Sequence, residues 1–454
     1  MKKLYVQTYG CQMNQYDSER IVRVMARANY TLTQELANAD LILLNTCSVR
    51  DKAEQKVYSA LGSWRELKQQ KSTVIIGVGG CVAQQEGDRL LKRVPHLDLV
   101  FGTHNINKLP EMVEQVQSAH ARPVELAFYR DPSYMEDPDG TTNVQGAKAF
   151  VTIMQGCNKV CSFCIVPHVR GREVSRPSQK ILAEIESLAA QGIKEVMLLG
   201  QNVNSYGKTS AGEIHFAELL HRVNAIEGLS RIRFTTSHPQ DLSHELIEAY
   251  ATLDKLCQHL HLPVQSGSDS VLLRMRRGYT NREYLDRIDR LRQRCPEVAL
   301  STDIIVGFPG ETDGEFERTL ELLRRLEYDE IYSFMYSPRR QTVSAKLYND
   351  DIPEETKKDR LKQVQSFQQK ISLRKNKEKI GSIEEILIDG HSRLKKGQVM
   401  GRTRTNRIVN LMGRENLIGQ LVNARIIAAT MNSLVGELSV QATTSEIQAQ
   451  GEMV

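Results

Sequence analysis

The sequence predicts an α/β chain in three parts: an N-terminal parallel-sheet α/β domain over 1–120, a central partial (β/α)6 barrel over 147–378, and a small C-terminal β-barrel over 379–441. Three observations carry this expectation. Short runs rich in Val, Ile and Leu alternate with helical patterns through two stretches, as parallel strands joined by crossover helices do. A turn-rich break containing Asp131-Pro132 and Asp137-Pro138-Asp139-Gly140 separates them, so 121–146 reads as a linker. Near the end, five short strands follow one another within about sixty residues, the pattern of small barrels of the oligonucleotide-binding type.

In the first part, strands are expected over 4–6, 41–44 and 74–78, with helices over 17–28 and 52–69. Each strand is followed within a few residues by a cysteine: Tyr9-Gly10-Cys11, Asn45-Thr46-Cys47 and Gly79-Gly80-Cys81. Parallel strands put these loops on one carboxyl edge, where α/β sheets bind ligands. Three thiols far apart in sequence can thus converge, and Gly10, Gly79 and Gly80 permit close backbone approach to an inorganic core. The alternative is three unrelated buried cysteines, since free Cys is among the most buried residue types.

In the second part, strands are expected over 149–153, 195–200, 232–235, 259–263, 301–306 and 331–336, with helices over 178–191, 243–253, 281–294 and 312–326. Six βα units are too few for a closed eightfold barrel and fit an open one with its active loops at the strand carboxyl ends. The loop after the first strand holds Cys157, Cys161 and Cys164 in C-x3-C-x2-C spacing. Thiolates hold iron–sulfur clusters. Three thiolates on a four-iron cubane leave one iron open for a small molecule such as S-adenosylmethionine, bound through its amino and carboxylate groups. The alternative is a zinc site with His168 as fourth ligand. Gln201 and Asn202 follow the second strand and Gln265 the fourth, where their polar groups can orient an adenosyl ligand; the alternative for each is an ordinary glycine turn. Cys257 and Cys295 fit no ligand spacing and read as structural.

The net charge of +5 is uneven, with 16 Lys plus Arg against 7 Asp plus Glu between Ile352 and Arg414. A basic C-terminal third suggests a polyanionic partner, most simply nucleic acid. Lys395, Lys396, Arg402, Arg404 and Arg407 cluster on the expected barrel as phosphate contacts would. For the helical segment over 354–379 a solvated face is an equal reading. The N-terminus lacks the pattern of a signal peptide, and no run of eighteen apolar residues exists. Eight cysteines are too few for a disulfide scaffold, so reduced thiols in a cytoplasmic protein are expected. The tail over 442–454 is polar.

Several strings resemble one family, the radical S-adenosylmethionine methylthiotransferases. They are Thr8-Tyr9-Gly10-Cys11-Gln12-Met13-Asn14, Asn45-Thr46-Cys47-Ser48-Val49-Arg50, Gly77-Val78-Gly79-Gly80-Cys81-Val82-Ala83, Gln155-Gly156-Cys157-Asn158, Arg170-Gly171-Arg172-Glu173-Val174-Ser175-Arg176-Pro177 and His261-Leu262-Pro263-Val264-Gln265-Ser266-Gly267-Ser268. The likeness covers nearly the whole chain. It implies a radical domain between an N-terminal cluster domain and a C-terminal RNA-binding β-barrel called TRAM. By resemblance, Cys157, Cys161 and Cys164 hold a radical 4Fe-4S cluster and Cys11, Cys47 and Cys81 an auxiliary one, both facing one cavity. The implied reaction is methylthiolation of carbon 2 of N6-isopentenyladenosine at position 37 of tRNA, with S-adenosylmethionine as radical source and methyl donor. Implied partners are the tRNA anticodon stem-loop and an electron donor such as flavodoxin or ferredoxin, and a monomer is expected. Rival readings are a sister acting on N6-threonylcarbamoyladenosine, a sister modifying a ribosomal aspartate, and a non-catalytic RNA-binding protein with structural metal. One departure is visible: where the family reads Ser-x-Arg-Pro-Gly-Thr, this chain has Ser337-Pro338-Arg339-Arg340-Gln341-Thr342.

Overall fold

The structure, a computed structural model, describes residues 1–48, 51–136, 146–392, 397–413 and 415–439. Lys395, Lys396 and the expected tail lie outside the described residues.

The N-terminal sheet has six strands, all parallel, in the order Tyr30–Leu32, Lys2–Thr8, Leu41–Thr46, Ile75–Gly80, Leu99–Phe101, Val124–Glu125. Its two central strands, LILLNT and IIGVGG, are buried at every position. That is why they read as continuous apolar runs rather than alternating ones: helices cover both faces. Ile42, Leu44, Ile76 and Val78 join Val57, Leu61 and Trp64 on one side, while Leu41, Leu43 and Ile75 join Ile21, Met25 and Leu109 on the other. Val124–Glu125 completes this sheet, so the first domain reaches into the stretch expected as linker.

The central barrel has the six expected strands, all parallel. Lys148–Thr152, Glu195–Leu199 and Arg231–Phe234 form one three-stranded sheet. His259–His261, Ala299–Val306 and Glu330–Met335 form another, and a parallel bridge between Ile232 and Leu256 joins the two. The helix Glu354–Lys377 buries Lys357, Arg360, Val364 and Gln368. Arg360 pairs with Glu311 and Asp313, and Gln368 donates to the carbonyls of Tyr328 and Asp329. One face of this basic helix therefore belongs to the central domain.

The C-terminal domain is a closed barrel of five strands, Ile383–His391, Gln398–Thr403, Ile408–Met412, Leu434–Leu438 and Leu421–Ala429, around Ile386, Ile388, Val399, Val409, Leu411 and Ile426. Arginines from both sides fasten it to the central domain. Arg231, fully buried, donates to the Glu385 carboxylate and to the carbonyls of Glu385 and Arg402. Arg233 pairs with Glu195 and donates to the Thr403 carbonyl at 2.7 Å. In return, Arg404 donates to the carbonyls of Asp254 and Leu256 and to Gln258, and Arg407 pairs with Asp329 at 2.6 Å.

Two cysteine triads and the cavity beside them

Cys11 sits at the cap of the helix Gln12–Arg27, Cys47 just past the strand Leu41–Thr46, and Cys81 at the first turn of the helix Cys81–Glu86. Glycines bring the three strand ends together. At Gly10 (φ +146°) a Cβ would lie 2.7 Å from Cys47 Cβ, and at Gly80 (φ +87°) it would lie 2.4 Å from the Thr46 carbonyl. Gly79 differs from the sequence expectation: its missing side chain makes room for the Phe101 ring, not for an inorganic core.

A buried amide network fixes the arrangement. Asn14 Nδ2 donates to the Thr46 carbonyl, and Asn45 Nδ2 donates to the Asn14 carbonyl and to Ser18 Oγ. Thr46 Oγ1 donates to the Gly79 carbonyl and accepts from Val82 N–H, joining the Cys47 and Cys81 loops. Contact with Cys47 holds the Cys11 thiol, which is open to solvent, down to about 6; Arg170 and the helix N–H groups add to the lowering. Burial raises the Cys81 thiol, and Arg170 opposes it. Arg170 comes from the central domain and pairs with Asp17 at 2.6 Å, both side chains being almost fully buried. Nothing in the sequence spacing singled out Asn14, Asn45, Thr46 or Arg170; they lie inside the quoted strings or just beyond the second triad.

The second triad lies on the loop after the first barrel strand. An antiparallel pair, Met154–Gln155 with Val174–Ser175, clamps the base of that loop. Ser162 N–H and Oγ donate to the carbonyls of Met275 and Arg274, and the Ser162 carbonyl accepts from Ser344 N–H. Arg277 donates to Cys161 Sγ at 3.2 Å and to the Pro263 carbonyl at 2.7 Å. Burial pushes the Cys157 thiol up to about 11 and the Cys164 thiol up to about 12. His168 is exposed on the short helix Val166–Val169. Among the described residues, no three His, Cys, Asp or Glu side chains gather as ligands of a single metal ion would. Cubane thiolates bind separate corners, and so lie farther apart than four ligands on one zinc. Cys257 and Cys295 are buried elsewhere, as expected of structural residues.

Of the residues expected to orient an adenosyl ligand, Gln201 accepts from Gly156 N–H at 2.5 Å. Asn202 is buried, with Nδ2 on Asp241 and Oδ1 without a partner. Gln265 is buried with φ +76° and bridges to Ile304 through its backbone. Nearby, Ser237 Oγ and His238 Nε2 are also buried without partners, a signal the sequence reading missed. Burial and the Arg277 charge hold His238 neutral, down to about 2. Buried polar atoms left unpaired at strand carboxyl ends are what a polar ligand would satisfy, so this region fits an adenosyl group. The loop that departs from the family pattern still turns: Thr342 N–H and Oγ1 both bond to the Arg339 carbonyl, and Thr342 caps the helix Val343–Leu347.

A cavity of about 1210 Å³ opens inside the barrel. Cys11 and Cys47 line it, together with Phe150, Phe234, His261 and Tyr332. Arg402, Asn406 and Arg407 reach it from the C-terminal barrel. Cys157, Cys161 and Cys164 are not among the residues lining this cavity. The triads instead approach through packed side chains: Cys81 forms one cluster with Ile165 and Val169. Arg404 and Arg407 are engaged in interdomain bonds, and Arg402 Nη1 donates to Asn406, because closing the barrel onto the central domain needs its polar rim satisfied.

An open parallel barrel with a three-thiol loop after its first strand defines the radical S-adenosylmethionine class. The Radical SAM superfamily model matches residues 151–323, the TRAM domain model 377–439, and the model of the uncharacterized protein family UPF0004 residues 3–102. The chain is 50% identical over 437 residues to the tRNA-2-methylthio-N(6)-dimethylallyladenosine synthase of Geotalea uraniireducens, spanning 96% of this chain and 99% of that one. It is 50% identical over 438 residues to the synthase of that name from Syntrophotalea carbinolica, spanning 96% and 100%. It belongs to the family of tRNA-2-methylthio-N(6)-dimethylallyladenosine synthases. In fold it resembles the radical S-adenosylmethionine methyltransferase TsrM of Kitasatospora setae, with a TM-score of 0.56 at 14% identity over 76% of this chain and 77% of that one.

Proposed function

We propose that the chain methylthiolates carbon 2 of N6-isopentenyladenosine at position 37 of tRNA. The observation that carries this reading is the presence of two three-thiol sets in one chain, brought near each other where Cys81 clusters with Ile165 and Val169. Cys157, Cys161 and Cys164 would hold one 4Fe-4S cluster, and Cys11, Cys47 and Cys81 the other. When bound, the clusters and S-adenosylmethionine supply the one-electron and sulfur chemistry that an unactivated aromatic C–H requires.

The chain's own residues do the rest. Arg277 gives Cys161 a charged hydrogen-bond donor, and Arg170 favours the thiolates of Cys11 and Cys81. Asn202, Ser237 and His238 offer unpaired polar atoms to an adenosyl group. The cavity would admit one unstacked loop base beside Cys11 and Cys47. The C-terminal barrel would hold the anticodon stem-loop. A small electron carrier such as flavodoxin or ferredoxin would supply electrons to a monomer in the cytoplasm. No helix among the described residues is long and apolar enough to cross a membrane.

Anaerobic reconstitution with an anticodon stem-loop bearing N6-isopentenyladenosine, followed by mass analysis, tests the reading. A methylthio product is expected. Product only from the threonylcarbamoyl stem-loop would move the chain to the sister activity. Zinc without iron in the purified protein would leave only the non-catalytic reading.

A further inference from the structure

Four polar side chains on two neighbouring strands form a continuous chain on the cavity wall. His259 and His261 lie on one strand and Ser301 and Asp303 on the next, with His261 in register with Ser301. Ser301 Oγ is 3.0 Å from His259 Nε2 and 3.0 Å from His261 Nδ1, and His261 Nε2 is 3.5 Å from Asp303 Oδ1. A hydroxyl carries one proton and two lone pairs, so Ser301 can accept from both imidazoles or accept from one and donate to the other. Were His261 Nδ1 the donor of the neutral pair, its Nε2 would turn a lone pair toward the Asp303 carboxylate. The favourable direction runs from His259 to Ser301, from Ser301 to His261 Nδ1, and from His261 Nε2–H to Asp303. Asp303 is thereby a carboxylate of fixed orientation, with 28% of its side chain open toward the cavity. Tyr332, in register with Asp303, stands edge-on to His261 at 5.7 Å, and Phe150, Phe234 and Phe334 add an apolar wall.

An adenine with one substituent at N6 keeps a single N6–H donor on that edge. A carboxylate accepts such a donor, and aromatic rings suit the base face and an apolar substituent. We propose that Asp303, oriented by the His259–Ser301–His261 wire, is the specificity-determining group that reads the N6–H of the target adenosine and turns away anionic N6 substituents. The inference rests on the proposed substrate. A threonylcarbamoyl carboxylate set against Asp303 and the exposed Glu330 would meet like charge there, opposed by Arg402, which lines the same cavity. His259, Ser301 and His261 act through Asp303 and are positioning residues.

The test is fluorescence-anisotropy binding of the full chain to four synthetic anticodon stem-loops. At the target position these carry unmodified adenosine, N6-isopentenyladenosine, its N6-methylated form without the N–H, or N6-threonylcarbamoyladenosine. The wild type is expected to prefer the isopentenyl RNA with the N–H over the one without it by about tenfold, the effect of one charged hydrogen bond. Asp303→Ala should erase that preference, and Asp303→Asn should keep part of it while gaining affinity for the threonylcarbamoyl RNA. Ser301→Ala should weaken the preference, and Ser301→Thr should restore it. An Asp303→Ala chain that discriminates as the wild type does overturns the inference while leaving the proposed function standing. Should Asp303→Ala lose all RNA binding, Asp303→Asn decides: unchanged selectivity overturns the inference, and new acceptance of the anionic substituent supports it. A wild type that binds isopentenyl and unmodified RNA equally overturns the proposed substrate and the inference with it.

Discussion

Cys81 shares a buried cluster with Ile165, the residue that follows Cys164 in the chain, and with Val169. A member of the first triad therefore packs with side chains that directly follow the second, although the sequence places them more than eighty residues apart. Each triad should nonetheless be separable by mutation. Cys157→Ala should abolish 5′-deoxyadenosine formation. Cys47→Ala should spare it and abolish sulfur insertion. Each variant should hold about four irons against about eight in the wild type. Normal methylthiolation by the Cys47→Ala chain would end the two-cluster scheme.

Arg277 is the charged donor on Cys161. Hydrogen bonds to cluster sulfurs raise the reduction potential. Arg277→Met should lower the potential of that cluster by about 60 mV, the one-electron equivalent of a tenfold change in equilibrium. An EPR-monitored redox titration reads this, and an unchanged midpoint would remove Arg277 from the site.

The Arg170–Asp17 pair ties the first helix to the loop of the second triad, with both partners nearly fully buried. Breaking such a pair strands one charge. Asp17→Ala should cost about 3–5 kcal/mol in denaturant unfolding, whereas replacing both partners by apolar residues of similar size should cost much less.

Glu315 braces Arg274, whose carbonyl holds Ser162. Burial disfavours its charge, but Arg274, Ser270 and the Thr312 N–H outweigh that and hold the carboxyl down to about 2. A depressed carboxyl contributes stability above its usual value of 4.5, and that contribution is lost as pH falls toward its folded value. Glu315→Gln should cost about 1–3 kcal/mol at pH 6. The gap to the wild type should narrow steadily as the pH drops below 4.5, which urea midpoints across that range would show.

Arg404 holds the barrel to the central domain. Arg404→Ala should weaken tRNA binding without changing its salt dependence. A fall of about 0.7–0.9 in the slope of log K against log salt would instead mark a phosphate contact.

Six strands of the central domain and the five of the last barrel were legible because most show a short apolar run bounded by turn residues. Tyr30–Leu32, Leu99–Phe101 and Val124–Glu125 were not, since three residues or fewer carry no period. The six triad cysteines stood out by spacing and by strand-end position. Arg170, Ser237 and His238 did not, because their importance lies in partners or in missing partners that only the fold creates. The interdomain bonds of Arg404 and Arg407 stayed hidden for a related reason: a basic residue on a barrel rim looks the same in sequence whether it meets a phosphate or a neighbouring domain.

The Arg170 bridge has a consequence for biosynthesis. As the nascent chain leaves the ribosome, Cys11, Cys47 and Cys81 emerge long before Arg170. Until it arrives, the first triad lacks the positive charge that favours its thiolates, and Asp17 has no counterion. Iron delivery to the N-terminal domain should therefore follow translation of the central domain rather than accompany its own.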